Sequence, residues 1–228
     1  MSAVTNDSAL YRDVRADVLA VARGREDDLD RWSPATPAWR VRDVLAHLAG
    51  VCDDILHGNV AGVATDAWTA AQVEKRRSWP AAAVLDDWEE HGPEIDAIID
   101  GAPSPRWGQL LFDAWTHEQD VRGALDEPGG RDSSAARRVF EWIAGGMDER
   151  DRAEGRGALS LVTEAGARVV GVPPSAETVR TTRFELLRAV TGRRSVAQVE
   201  RWEWTGAPQA DRIVIAPFFH PATEDVLE

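Results

Sequence analysis

The chain has 228 residues, 43% hydrophobic and 29% charged, an ordinary globular composition that argues against disorder. It carries 26 basic against 39 acidic side chains, and the net charge of -13 counts against binding nucleic acid through its phosphates. A single cysteine, Cys52, excludes an internal disulfide framework and any multi-cysteine metal cluster.

Met1 to Leu10 shows no basic segment followed by an apolar one, and no run approaches the ~18 apolar residues of a membrane span. A cytoplasmic protein without a membrane partner is therefore expected. The first helix is expected from about Ser8 to Leu29, where Leu10, Val14, Val18, Val21, Ala22 and Leu29 recur at helical spacing behind candidate caps Asn6, Asp7 and Ser8. Ser33 to Pro37 reads as a breaker-rich loop. A second helix runs from about Val41 to His57 and stops at Gly58. Asn59 to Trp79 is weakly periodic and reads as loop or short helix. A third long helix, Pro80 to Asp100, carries Gly92-Pro93 and should kink there. After Pro103 to Pro105 a fourth runs to about Leu125. A fifth, about Ser134 to Met147, is expected to end at Gly145-Gly146. The charged stretch Asp148 to Arg156 marks a domain boundary, with residues 1–150 as a helical bundle and 151–228 as a mixed α/β part. In the latter, Leu159 to Val172 reads as a β-hairpin, Phe184 to Val190 as a short helix stopped by Gly192, and Ile213 to Ile215 as a final strand.

Five histidines are separated by their helical positions. On the second helix, Val41, Val44, Leu48, Val51, Cys52 and Ile55 form the buried arc, and His47 falls about 40° outside its edge at 100° per residue. His57 points to the opposite side. Taken alone, His47 reads better as a buried histidine hydrogen-bonded to a neighbour than as a ligand. The fourth helix contains Asp113 and His117 at i and i+4, one turn apart on the shoulder of an arc set by Leu110, Ala114, Val121 and Leu125. Three N/O ligands with an open fourth position are what a catalytic divalent metal needs, and His47, Asp113 and His117 form such a set. An intrahelical pair on a solvated face accounts for the Asp113/His117 spacing as well. Asp120 continues the stripe, either as an acceptor orienting a ligand histidine or as a surface charge. His91 reads as a satisfied core histidine, and His220 has no evident partner. Cys52, inside the buried arc, is unsuited to a nucleophilic role. Trp39 and Trp115 stand near the proposed ligands as candidate pocket walls. Arg193 and Arg194 follow a helix-stopping glycine and either clamp an anion or serve the helix end.

Three motifs carry a family resemblance. Trp39-Arg-Val-Arg-Asp-Val-Leu-Ala-His47-Leu-Ala-Gly50, Phe112-Asp113-Ala-Trp115-Thr-His117-Glu-Gln-Asp120-Val-Arg122 and Leu187-Arg-Ala-Val-Thr-Gly192-Arg193-Arg194-Ser195 resemble, in order, motifs of the mycothiol-dependent maleylpyruvate isomerase family. The resemblance covers nearly the whole chain. It implies an α+β fold, in which an N-terminal DinB-like four-helix bundle carrying a metal is joined to a small C-terminal α/β domain similar to sterol-carrier folds. It implies His47, Asp113 and His117 as the metal triad. The family's carboxylate is glutamate, and Asp113 is one methylene shorter. Asp120, Arg122, Arg193 and Arg194 are further candidates for orienting a ligand or holding substrate.

The function implied is a metal-dependent transferase or isomerase that uses a small thiol, mycothiol, on a small electrophile. A thiolate that adds to a cis double bond, with rotation and elimination, isomerises it; one that adds permanently or displaces a group gives a conjugate. Two imidazoles and a carboxylate suit Zn²⁺ first, and also Ni²⁺ or Fe²⁺. The alternatives are a non-catalytic metal or small-molecule binding module and a hydrolase using metal-bound water. A monomer or a homodimer is compatible with the sequence.

Overall fold

The computed structural model describes residues 6–102, 104–214 and 219–228. The chain divides into two compact units, Met1–Gly130 with Glu228, and Arg131–Leu227. The architecture is α+β, as the resemblance implies.

The first unit is helical. Helix α1 (Asp7–Ala22) starts where Asn6 Oδ1 accepts from the Ala9 N–H at 3.1 Å. It ends at Ala22, seven residues before the expected Leu29, because Arg23 turns extended and Gly24 takes φ 79°. Leu29 is buried all the same, on the turn that follows. Ser33 to Pro37, expected as a loop, contributes to a short antiparallel pair, β1 (Trp32–Ser33) and β2 (Thr36–Arg40). Strand β2 runs straight into α2 (Val41–Leu56), whose first turn is closed by Asp43 accepting from the Arg40 N–H. Helix α3 (Asp66–Arg76) occupies the weakly periodic stretch, capped by Thr65. Its buried residues are Gln72, Val73 and Arg76, so there was no apolar stripe to read. Helix α4 (Ala81–Gly101) continues through Pro93, and α5 (Arg106–Leu125) ends in Asp126 at φ 57°. Helices α1 and α2 each pack against α4 and α5, which makes the four-helix bundle, and α3 lies on α2.

The second unit pairs helices with a four-stranded sheet of order β4-β3-β5-β6. Helix α6 (Ser134–Ala153) runs through Gly145-Gly146 rather than ending there. Its buried face continues past the glycines: Met147 is in the core, and the wholly buried Asp151 accepts from Arg212 Nε at 2.7 Å. That packing outweighs the ~1 kcal/mol a mid-helix glycine costs. Because α6 packs on the sheet, the units part at Gly130, and the expected boundary near residue 150 falls inside a helix. Strands β3 (Gly157–Thr163) and β4 (Gly166–Val170) form the expected hairpin. Strand β5 (Val172–Arg180), parallel to β3, begins with Pro173-Pro174, where the pairing register is irregular. It pairs with β6 (Glu203–Trp204). Helix α7 (Arg183–Val190) stops at Gly192, φ 76°, where an added Cβ would meet the His220 carbonyl oxygen at 2.2 Å. Helix α8 (Val196–Glu200) follows. The expected final strand is corrected: Ile213 closes a short helix, α9 (Ala210–Ile213), Val214 is extended, and Ile215 lies outside the described residues. Arg212 on α9 donates to Asp151 and to the Gly157 carbonyl, which holds the segment as a helical turn on the sheet. Among the described residues no helix is long and apolar enough to cross a membrane.

Candidate metal centre

The first unit gathers three ligand-type side chains at one point. His47 comes from α2, Asp113 and His117 from α5, and one donor atom of each lies within 4.8 Å of the others. His47 Nε2 stands 3.4 Å from Asp113 Oδ1 and Oδ2, and His117 Nε2 stands 3.7 Å from Oδ1. The two imidazole rings meet nearly edge-on, with centroids 4.9 Å apart. Both rings are buried, and the Asp113 side chain is about one-third exposed, with its Oδ2 buried. The aspartate, though one methylene shorter than glutamate, still reaches both nitrogens.

The far side of each ring is held. His117 Nδ1 lies 2.8 Å from Asp120 Oδ2, three residues on in α5, and that carboxylate is wholly buried. Of the two readings of Asp120, the orienting acceptor fits and the surface charge does not. His47 Nδ1 lies 2.7 Å from Gln72 Oε1, on α3. Hydrogen-bonding Nδ1 in this way turns the ring so that Nε2 faces the cluster, the usual arrangement behind a metal-ligating histidine. Burial pushes the His117 pKa down, against the pull of Asp120 and Asp113, so the ring favours the neutral form that a metal requires.

Aromatic rings wall the site. Trp39 on β2 stands 5.4 Å from the His47 ring and stacks at 5.8 Å on His117. Trp68 on α3 meets the His47 ring edge-on at 6.5 Å. Trp115, expected with Trp39 near the ligands, is fully buried, its indole N–H donating to the Gly130 carbonyl. Gln72 and Trp68 were not legible in the sequence, since they ride on the helix that lacked periodicity.

The remaining candidates have structural partners. Arg122 donates to the buried Glu118 at 2.7 Å and to the Glu127 carbonyl, tying the end of α5 to its loop. Burial raises the Glu118 pKa, which Arg122 opposes. In the second unit Arg194 clamps Glu185 with two hydrogen bonds of 2.7 Å, which braces the fold. Arg193 donates to the Thr191 carbonyl at 2.7 Å. Cys52 is fully buried 3.0 Å from the Tyr11 hydroxyl, and burial pushes its thiol up to about 11, which leaves it inert as a nucleophile. His57 is exposed at the end of α2, away from the cluster.

No family model matches the chain, and no curated protein matches it in sequence. Two solved structures share its fold: a crystal structure of the mycothiol-dependent maleylpyruvate isomerase, with a TM-score of 0.54, and one of a histidine-to-alanine mutant of that isomerase, with a TM-score of 0.58. Each is 12% identical to this chain and covers 89% of it and 95% of its own length. The chain is thus similar in fold, through both of its units, to the mycothiol-dependent maleylpyruvate isomerase.

Proposed function

We infer that this protein is a cytoplasmic, metal-dependent enzyme that uses a small thiol, mycothiol, to transfer to or isomerise a small electrophile. The observation that carries the reading is the convergence of His47, Asp113 and His117 with both Nδ1 atoms already hydrogen-bonded away from the cluster. Two imidazole nitrogens and a carboxylate would hold a divalent cation, Zn²⁺ before Ni²⁺ or Fe²⁺. When bound, such a cation supplies the positive charge that favours a thiolate over a thiol.

The chain's own residues do the rest. Asp120 and Gln72 orient the two imidazoles. Trp39 covers the rings from one side and excludes water there. The half-buried Asp113 side is where a small molecule can approach. Cys52 is too deeply buried and too weakly acidic to serve, so the reactive sulfur must come from a small molecule. The DinB-like bundle is the metal-holding part of this reading, and the α/β unit is the smaller partner domain.

The test is elemental analysis of the purified protein, followed by product formation from maleylpyruvate or another small electrophile with and without mycothiol. Near-stoichiometric metal and thiol-dependent turnover are expected. Turnover of a hydrolysable substrate without thiol would favour the hydrolase, and absence of both metal and turnover would favour a binding module.

A further inference from the structure

The Nδ1 side of His47 is controlled through Gln72 by a side chain that never touches it, Asp54. Gln72 Nε2 donates to Asp54 Oδ2 at 2.6 Å, and Asp54 Oδ1 accepts from Asn59 Nδ2 at 2.8 Å. A carboxylate can only accept, so Asp54 obliges the Gln72 amide to turn its nitrogen toward the Asp54 side. The carbonyl Oε1 therefore faces His47 Nδ1 at 2.7 Å. That oxygen also can only accept, so Nδ1 carries a proton; Asp113 Oδ1, 3.4 Å from Nε2, is the competing acceptor, and the shorter contact places the neutral ring's single proton on Nδ1, with Nε2 unprotonated toward Asp113 and His117.

We propose that Asp54 and Gln72 are positioning residues that fix the Nδ1–H tautomer of His47 and so prepare Nε2 as a ligand. The consequence for metal rests on the functional reading above; the tautomer itself does not. His117 reaches the same state by a shorter route, with Asp120 accepting directly from its Nδ1. The His47 arm is longer because α3, not α2, supplies its acceptor. An amide has two interchangeable ends, so it orients a histidine only if something orients the amide. Asp54 does so from the last turns of α2, where it is half-buried and isosteric replacement is mild.

The experiment is ¹⁵N NMR of the histidine side chains in the full-length, metal-free protein, at a pH where the rings are neutral. The His47 signals are assigned by their loss in His47→Ala. In the parent, Nδ1 is expected at the protonated shift and Nε2 at the unprotonated one. Asp54→Asn frees the Gln72 amide to face either way, so His47 should become a mixture of tautomers. Gln72→Leu should do the same. Gln72→Glu restores an acceptor that cannot flip, so adding it to Asp54→Asn should return the ring to the pure Nδ1–H form. A merely structural role for Asp54 would not give that rescue. Zn²⁺ affinity, read by chelator competition, should fall about 10-fold in Asp54→Asn and recover in the double variant. A proton on Nε2 in the parent, or no change in Asp54→Asn, would overturn the proposal. The Nδ1–H pattern with rescue, but no Zn²⁺ binding in any variant, would uphold the tautomer control and reject the metal centre.

Discussion

Replacing Gly50 by alanine should loosen the site without touching a ligand. Gly50 lies one turn after His47 on α2, where α3 crosses closely. A Cβ placed there would stand 2.5 Å from Gln72 Cβ, 2.7 Å from its Cγ and 3.2 Å from Arg76 Nη1. Gln72 Cβ is fixed to the α3 backbone and cannot swing aside, so the helix must move and carry Oε1 away from His47 Nδ1. Overpacking of this kind costs about 1–3 kcal/mol. Alanine returns roughly 0.5–1 kcal/mol by its better helix propensity. The net is a loss of up to about 2.5 kcal/mol. Thermal and denaturant melts measure that loss, and chelator competition measures Zn²⁺ affinity, expected to fall about 10-fold as the His47 support is displaced. The matching control is Gly146→Ala on α6, where an added Cβ meets nothing within 4 Å. It should gain about 0.5–1 kcal/mol and leave Zn²⁺ affinity unchanged. A Gly50→Ala protein with parental melting and parental affinity would refute the reasoning.

Other perturbations test the packing around the bundle. Asp96→Ala leaves the buried Arg15 guanidinium, paired with Asp96 at 2.9 Å, without its counter-charge, so a denaturant melt should show a loss of about 3–5 kcal/mol. Cys52 and Tyr11 both resist ionisation through burial, Cys52 up to about 11 and Tyr11 well above its usual value. From pH ~9 upward the unfolded chain would release protons that the folded pair retains, so stability should fall with rising pH, and less steeply in Cys52→Ala. In native protein at neutral pH, Cys52 should react with a thiol reagent only at the rate of unfolding, measured by absorbance. Arg194→Ala should destabilise by about 1.5–3 kcal/mol through loss of the Glu185 clamp, with metal content unaltered.

The helices that carry the ligands were the legible ones, because each sets an apolar arc against which a histidine's angle can be judged. His47 sits at the edge of the α2 arc, and His117 one turn from Asp113 on α5, and both angles can be read from the sequence. What the sequence hid was what tertiary contact decides. Helix α3 buries Gln72 and Arg76 around a single apolar residue, Val73, so no apolar stripe marks either the helix or the acceptor behind His47. Trp39 lies beside both ligand histidines on a strand leading into α2, a strand that the breaker-rich Ser33 to Pro37 does not announce. Helix α6 passes through two glycines because Met147 and Asp151 have partners, and β5 hides behind Pro173 and Pro174. In each case local propensity pointed one way and packing the other.

The most direct measurement is the metal content of the parent, His117→Ala and His57→Ala, purified identically and checked by thermal melt. His117→Ala removes one of three donor atoms that lie within 4.8 Å of one another, whereas His57 is exposed at the far side of α2. The buried Asp120 loses its Nδ1–H partner in His117→Ala, so some stability, about 1–3 kcal/mol, should go with it, but not the fold. The expected result is near-stoichiometric metal in the parent and in His57→Ala, and loss of metal from a still-folded His117→Ala. Unchanged metal in His117→Ala, or equal loss in His57→Ala, would contradict the assignment.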